Sequence, residues 1–253
     1  MMPRFIDLSA PIQTSIDGVA PRQRTEIAFE THAEGAAAIQ GLFGIGPELL
    51  RDGEGWATER LILGTHNSTH VDAPFHYNSR IAGEPAETID QLPLERFFAP
   101  GVVLDFSDRA DGASVTATDL RTALSRIEHR LTAGEIVLIR SDCDRFYGEV
   151  DYSDHGPGVT AEATRWLFEH GVRVMGIDAW GWDRPLGQQA ADARQRNRPG
   201  IFWEAHQVDL PYSQIERLCN LAALPPDGFT VACFPLLIIG ASAAPARVVA
   251  IVS

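Results

Sequence analysis

The chain has 253 residues, 45% hydrophobic and 22% charged, an ordinary globular composition long enough to bury a substantial core. With 34 acidic against 21 basic residues its formal net charge is −13, so its surface repels phosphate backbones and anionic lipid. Nucleic acid and the membrane surface are thereby excluded as principal partners. Cys143, Cys219 and Cys233 lie far apart without C-x-x-C spacing, which excludes a disulfide framework and fits a reducing cytoplasm.

The opening segment has no apolar stretch of signal-peptide type, and no run approaches the ~18 to 20 apolar residues of a membrane span. Residues 5–8 read as the first strand. Part of 31–50 reads as helix, against the tendency of its glycines. Strands are expected at 61–63, 102–106, 136–139, 172–177, 229–233 and 248–252. Several of these runs are apolar without alternation, as in strands covered on both faces. Between them, 118–127 carries Leu120, Leu124 and Ile127 at helical spacing. Residues 160–169 read as a second helix, capped by Thr160 and ended by Gly171. The polar stretch 186–199 has no clear period and reads as a long surface loop. Strands mixed with a few helices, with no dividing linker, predict one α/β domain spanning residues 1–253.

Three of the eight histidines fall in one short stretch, His66, His70 and His76, with Asp72 among them. Imidazole and carboxylate suit zinc, manganese or iron at neutral pH. An extended chain from 66 to 70 would separate its ends by about 13 Å, too far for two ligands of one ion. The segment must therefore curl, with Gly64 and Pro74 as natural bends and a helical turn across 66–70 as one way to join the imidazoles.

The stretch from His66 to His76 resembles the H-x-G-T-H-x-D-x-P-x-H motif of the metal-dependent cyclase-like hydrolases, a family that includes bacterial kynurenine formamidase, isatin hydrolase and a zinc-dependent dienelactone hydrolase. Ser68 stands where the motif has glycine. The resemblance extends to the D-L-S of 7–9, the G-I-D of 176–178 and a C-terminal block running from His206 through Glu216 and Asn220 to Pro225. The interval from His206 to Glu216 is shorter than in the family's pattern, with Pro211 inside it.

The resemblance implies that His66, His70 and Asp72 bind one divalent ion, zinc or manganese, and that Asp72 bridges to a second held by His206 and Glu216. It gives His76 the acid–base role. It also implies that Phe43, Phe75 and Trp203 wall the substrate pocket. Its fold would be a mixed sheet of barrel-like strands flanked by helices, of the swivelling β/β/α kind, in a homodimer or homotetramer. The activity implied is hydrolysis of a small formamide, cyclic amide or lactone. Taken alone, His206 and Glu216 would attract no notice. His32, His129 and His170 read as structural, and His155 as part of a tight polar turn that could border a site. Two rivals follow from the same residues. One is a non-haem iron oxygenase using His70, Asp72 and His206 as its triad. The other is a binding protein in which the metal is only a staple.

Overall fold

The computed structural model describes residues 2–252. The strands are β1 (Arg4–Asp7), β2 (Glu26–Glu30), β3 (Thr58–Ile62), β4 (His70–Asp72), β5 (Arg80–Ile81), β6 (Glu84–Pro85), β7 (Phe98–Asp105), β8 (Ser114–Val115), β9 (Ile136–Arg140), β10 (Gly158–Val159), β11 (Val174–Ile177), β12 (Ser213–Glu216), β13 (Phe229–Ala232), β14 (Ala243–Pro245) and β15 (Val249–Val252). The α-helices are α1 (His32–Phe43), α2 (Pro74–Tyr77), α3 (Ala117–Arg126), α4 (Ala161–Glu169) and α5 (Leu186–Arg196). The chain forms two compact units, one from the residues before Ile12 and after Gly64, the other Ile12–Gly64.

The larger unit is organised by one nine-stranded mixed sheet, in the order β1-β15-β13-β7-β9-β11-β12-β4-β14. The neighbours β7, β9, β11 and β12 run parallel, and antiparallel strands extend both sides of this block. Both faces are covered, which is why the central strands read as unbroken apolar runs. Along β9, Val137 and Ile139 join a core with Leu120 and Leu167 of the helices. Ile136 and Leu138 join a second core with Phe97, Val231 and Ile215. The α/β architecture with a mixed sheet flanked by helices is the one expected.

Local signals explain the helices. Thr116 caps α3 in a reciprocal box with Asp119, and Thr160 accepts from the Ala163 amide at the start of α4. Gly171, at φ +89°, follows α4 as its sequence promised. Residues 186–199 do not form the expected loop, since Leu186–Arg196 is helix α5. Its periodicity is hidden because only Gln189 among its side chains is buried, so it has no apolar stripe.

The smaller unit pairs β2 with β3 antiparallel, with α1 in the connection between them. Thr31 and Glu34 form the capping box of α1. A Cβ on Gly35 would meet the Trp56 carbonyl oxygen at 1.8 Å, so the helix needs a glycine where the chain crosses it. Phe43 ends this helix, 64% exposed, with its ring edge-on to Trp56.

One histidine outside the cluster ties elements of the larger unit together. His129, after α3, reaches Glu135 Oε1 at 3.0 Å and Asp227 Oδ2 at 2.8 Å. Burial works against the charged ring, but the hydrogen bonds to Glu135 and Asp227 outweigh it and raise its pKa above 6.5. A histidine whose pKa is raised by folding contributes stability that is complete below its unfolded value and is lost as pH rises through the folded one. His129→Gln should therefore lower the melting temperature most below about pH 6 and progressively less on the alkaline side of its raised pKa. A gap that does not change with pH would show that the ring acts through packing alone.

Candidate metal centre

Strand pairing builds the centre. In β4, His70 and Asp72 are two residues apart and so share one face of the sheet. Glu216, the last residue of β12, lies directly across from His70 in the antiparallel register. These three side chains are buried, and their donor atoms lie within 4.8 Å of one another. His66, Asp72 and His76 form a second group of the same compactness that shares Asp72.

The two oxygens of Asp72 divide the site. His66 Nδ1 lies 2.9 Å and His70 Nε2 3.4 Å from Oδ1, whereas His206 Nε2 lies 3.9 Å from Oδ2. His206 Nε2 also lies 3.3 Å from Glu216 Oε1. Backbone and side-chain acceptors set which nitrogen faces inward. His70 gives its Nδ1 proton to the Ser68 carbonyl, and His206 gives its own to Asp183 Oδ2 at 2.5 Å. Each ring thus presents Nε2 to the carboxylates. His70 Nε2 and both Asp72 oxygens are buried without a hydrogen bond among the described residues. Inward-facing imidazole nitrogens and unsatisfied carboxylate oxygens are the donor set a divalent cation requires, so the residues fit such an ion.

The curl demanded by the ligand spacing is not a helical turn. Residues 65–69 form turns and bends before β4, and Ser68 takes φ +58°. The rings of His66 and His70 come to 5.2 Å, centroid to centroid. The left-handed backbone at Ser68 is a conformation that glycine adopts at little cost. Serine keeps the conformation while its hydroxyl donates to the Ala10 carbonyl at 2.7 Å. Ser68→Ala loses that bond and keeps the strain, whereas Ser68→Gly relieves the strain. In denaturant titrations the glycine variant should be the more stable of the two by about 1 kcal/mol. The reverse order would mean that the turn carries no backbone strain.

The other candidates sit as follows. His76, on α2, lies against His66 with ring centroids 3.9 Å apart and the planes inclined by 37°. Trp203 stacks on His206 at 4.6 Å and meets His76 edge-on at 5.1 Å. Phe75 is 43% exposed beside them in sequence, and Phe43 belongs to the smaller unit. His155 is held between Asp111 and Asp151 and lines a small crevice whose wall includes Asp183. Two contributors carry no motif. Ser242 lies 3.0 Å from His66 Nε2, and Asp183 orients His206. Asp183 had one signal: it follows the carboxyl end of a parallel strand, where α/β sheets place their sites.

Charge coupling determines where the protons sit. Burial alone would depress His70 and His206, but Asp72 and Glu216 raise His70 to about 9, and Asp183 and Glu216 raise His206 to about 10. Burial pushes Asp72 up, yet the surrounding histidines hold it well below the usual carboxylate range, and His206 and His70 do the same for Glu216. His76 moves the other way, to about 4, because burial dominates and His66 and His206 add repulsion. At neutral pH the cation-free cluster therefore contains protonated His70 and His206 beside a neutral His76. A divalent ion must displace the first two protons. Calorimetry in buffers of differing ionisation heat should register at least one proton released per ion bound near pH 7, with affinity rising up to about pH 9. Binding without proton release would place the ion elsewhere.

The sequence and the fold have counterparts among known proteins. The family model Cyclase, described as “Putative cyclase”, matches residues 6–184. The chain is 30% identical over 215 residues to isatin hydrolase from Roseibium aggregatum, covering 79% of this chain and 77% of the other. It is 27% identical to kynurenine formamidase from Maricaulis maris, covering 85% and 87%. Its fold superposes on that of isatin hydrolase A from Ralstonia solanacearum with a TM-score of 0.78 and 26% identity, covering 99% and 92%. With the family model matched over more than half its length and these hydrolases aligned over most of it, the chain belongs to the Cyclase family and is a hydrolase.

Proposed function

We propose that the protein hydrolyses the C–N bond of a small planar amide, cyclic or N-formyl, with a lactone ester as the nearest related substrate. The observation that carries this reading is the convergence of His66 and His70 on one oxygen of Asp72 and of His206 on the other. That arrangement supports His66, His70 and Asp72 as ligands of one ion, zinc or manganese, and Asp72, His206 and Glu216 as ligands of a second. A divalent ion held there acidifies water to a pKa of ~7 and polarises a carbonyl.

The protein's own groups supply the rest. His76, neutral and close to the ligands, takes a proton from the attacking water on a ring nitrogen and returns it to the leaving nitrogen. Such acid–base help is worth ~10²- to 10⁴-fold. Trp203, stacked on His206 and edge-on to His76, offers a flat wall to a planar substrate. Phe75, next to His76 in sequence, is assigned to the same pocket. An oxygenase built on His70, Asp72 and His206 would leave His66, His76 and Glu216 without roles. The exposed Phe5, Phe98, Phe234, Leu236, Leu237 and Ile239 support self-association as a homodimer or homotetramer. The free cysteines support a cytoplasmic location. No helix among the described residues is long and apolar enough to cross a membrane.

The decisive assay offers isatin and N-formylkynurenine to protein loaded with zinc or manganese in turn, with a chelator control. Chelator-sensitive opening of isatin would favour cyclic amides; deformylation of N-formylkynurenine would favour a place in tryptophan catabolism. Loaded protein that turns over neither amide nor lactone would refute the reading. Among variants, His76→Ala should keep its metal and lose ~10²- to 10⁴-fold in kcat, whereas Asp72→Ala should lose both. Near wild-type turnover by His76→Ala would remove its acid–base role.

A further inference from the structure

Helix α5 presents a polar, largely exposed surface, yet Gln189 on it has no exposed area. A buried amide is costly unless each polar atom finds a partner. Here each one does. Gln189 Nε2 donates to Asp183 Oδ1 and to the Arg184 carbonyl, both at 3.0 Å, and Oε1 accepts from the Trp203 amide at 2.5 Å. These partners also dictate the amide's orientation, because a carboxylate oxygen accepts and a backbone N–H donates.

Both ends of this amide lead to the site. Asp183 collects the Gln189 Nε2, Ala205 N, His206 N and His206 Nδ1 protons, which fills the capacity of a carboxylate. Its hold on Nδ1 directs His206 Nε2 toward Glu216 and Asp72. At the other end, Trp203 sits at φ +61°, a left-handed conformation unfavourable for a non-glycine residue. The bond to Gln189 holds its backbone there, and its ring lies on His206.

We propose that Gln189 is a positioning residue for this centre, its amide coupling the orientation of His206, through Asp183, to the placement of the Trp203 wall. The proposal rests on His206 serving as a metal ligand, as read above. It predicts that one change on a surface helix alters metal affinity and substrate binding together, although Gln189 touches neither ion nor substrate.

The test titrates Mn²⁺ into cation-free protein by calorimetry and measures kcat and KM with isatin and with N-formylkynurenine. The variants are Gln189→Leu, Gln189→Glu, His206→Ala and, as a control on an exposed face of α5, Gln195→Leu. Gln189→Leu should weaken Mn²⁺ binding by ~10- to 100-fold and raise KM, while Gln195→Leu leaves both unchanged. Gln189→Glu keeps an acceptor for the Trp203 amide but sets a carboxylate against Asp183. It should therefore lose metal affinity with a smaller change in KM. A folded Gln189→Leu with Mn²⁺ affinity and KM within about twofold of wild type overturns the proposal. If that variant does not fold, wild-type affinity in Gln189→Glu overturns it instead. Should His206→Ala itself bind Mn²⁺ like wild type, the ligand assignment is what fails; normal Gln189 variants beside a defective His206→Ala sink the positioning role alone.

Discussion

The Asp72 carboxylate has no exposed surface, and neither of its oxygens has a hydrogen bond among the described residues. An isolated carboxylate in that position would be severely destabilising, and it is tolerated only where positive charge is supplied to it. Imidazolium rings supply that charge in the cation-free protein, and a divalent ion would do so in the site proposed above. The surrounding architecture follows from meeting this demand. His70 must keep Nε2 inward, so Ser68 offers its carbonyl to Nδ1. His206 must do the same, so a second buried acid, Asp183, is placed behind it. Glu216 is restrained by the Trp182 amide at 2.8 Å, and the Trp182 ring is itself buried with its Nε1 donating to Thr164. Packing against α4 is thereby connected to a proposed ligand, Glu216.

The division of labour between strands and loops follows from the same constraint. His70, Asp72 and Glu216 stand on paired strands, whose register allows little relative motion. His66, His206 and Trp203 stand on irregular chain and depend on side-chain partners for orientation. Strands thus hold the most deeply buried of the proposed ligands, while less regular segments carry the proposed pocket wall. Hydrolases with differing pocket walls can share such a base, which is consistent with one chain resembling both an isatin hydrolase and a kynurenine formamidase.

What could be read in advance divides by sequence distance. His66, His70, Asp72 and His76 lie within eleven consecutive residues, so their convergence was visible as spacing. The central strands and the cap at Thr160 are likewise local patterns. Glu216 was legible only through resemblance to a family motif. It pairs with His70 across a gap of many residues, and its strand, Ser213–Glu216, is buried yet mostly polar, so hydropathy does not mark it. Helix α5 escaped for a related reason: the amphipathic signal that identifies a helix is absent when its anchor is an amide.

The Gln189 network also bears on why a polar anchor would be kept where leucine would pack. An apolar anchor would hold α5 by area alone, which is tolerant of small rotations and slides. An amide with three directional bonds is not, because displacement of the helix breaks bonds to both Asp183 and Trp203 at once. The helix therefore transmits position rather than merely covering surface. The same logic applies one step inward, where Asp183 exchanges solvation for four donors so that one imidazole faces one way. Each buried polar group is tolerated because it orients the next, and the chain of orientation ends at the Asp72 oxygen that His206 faces.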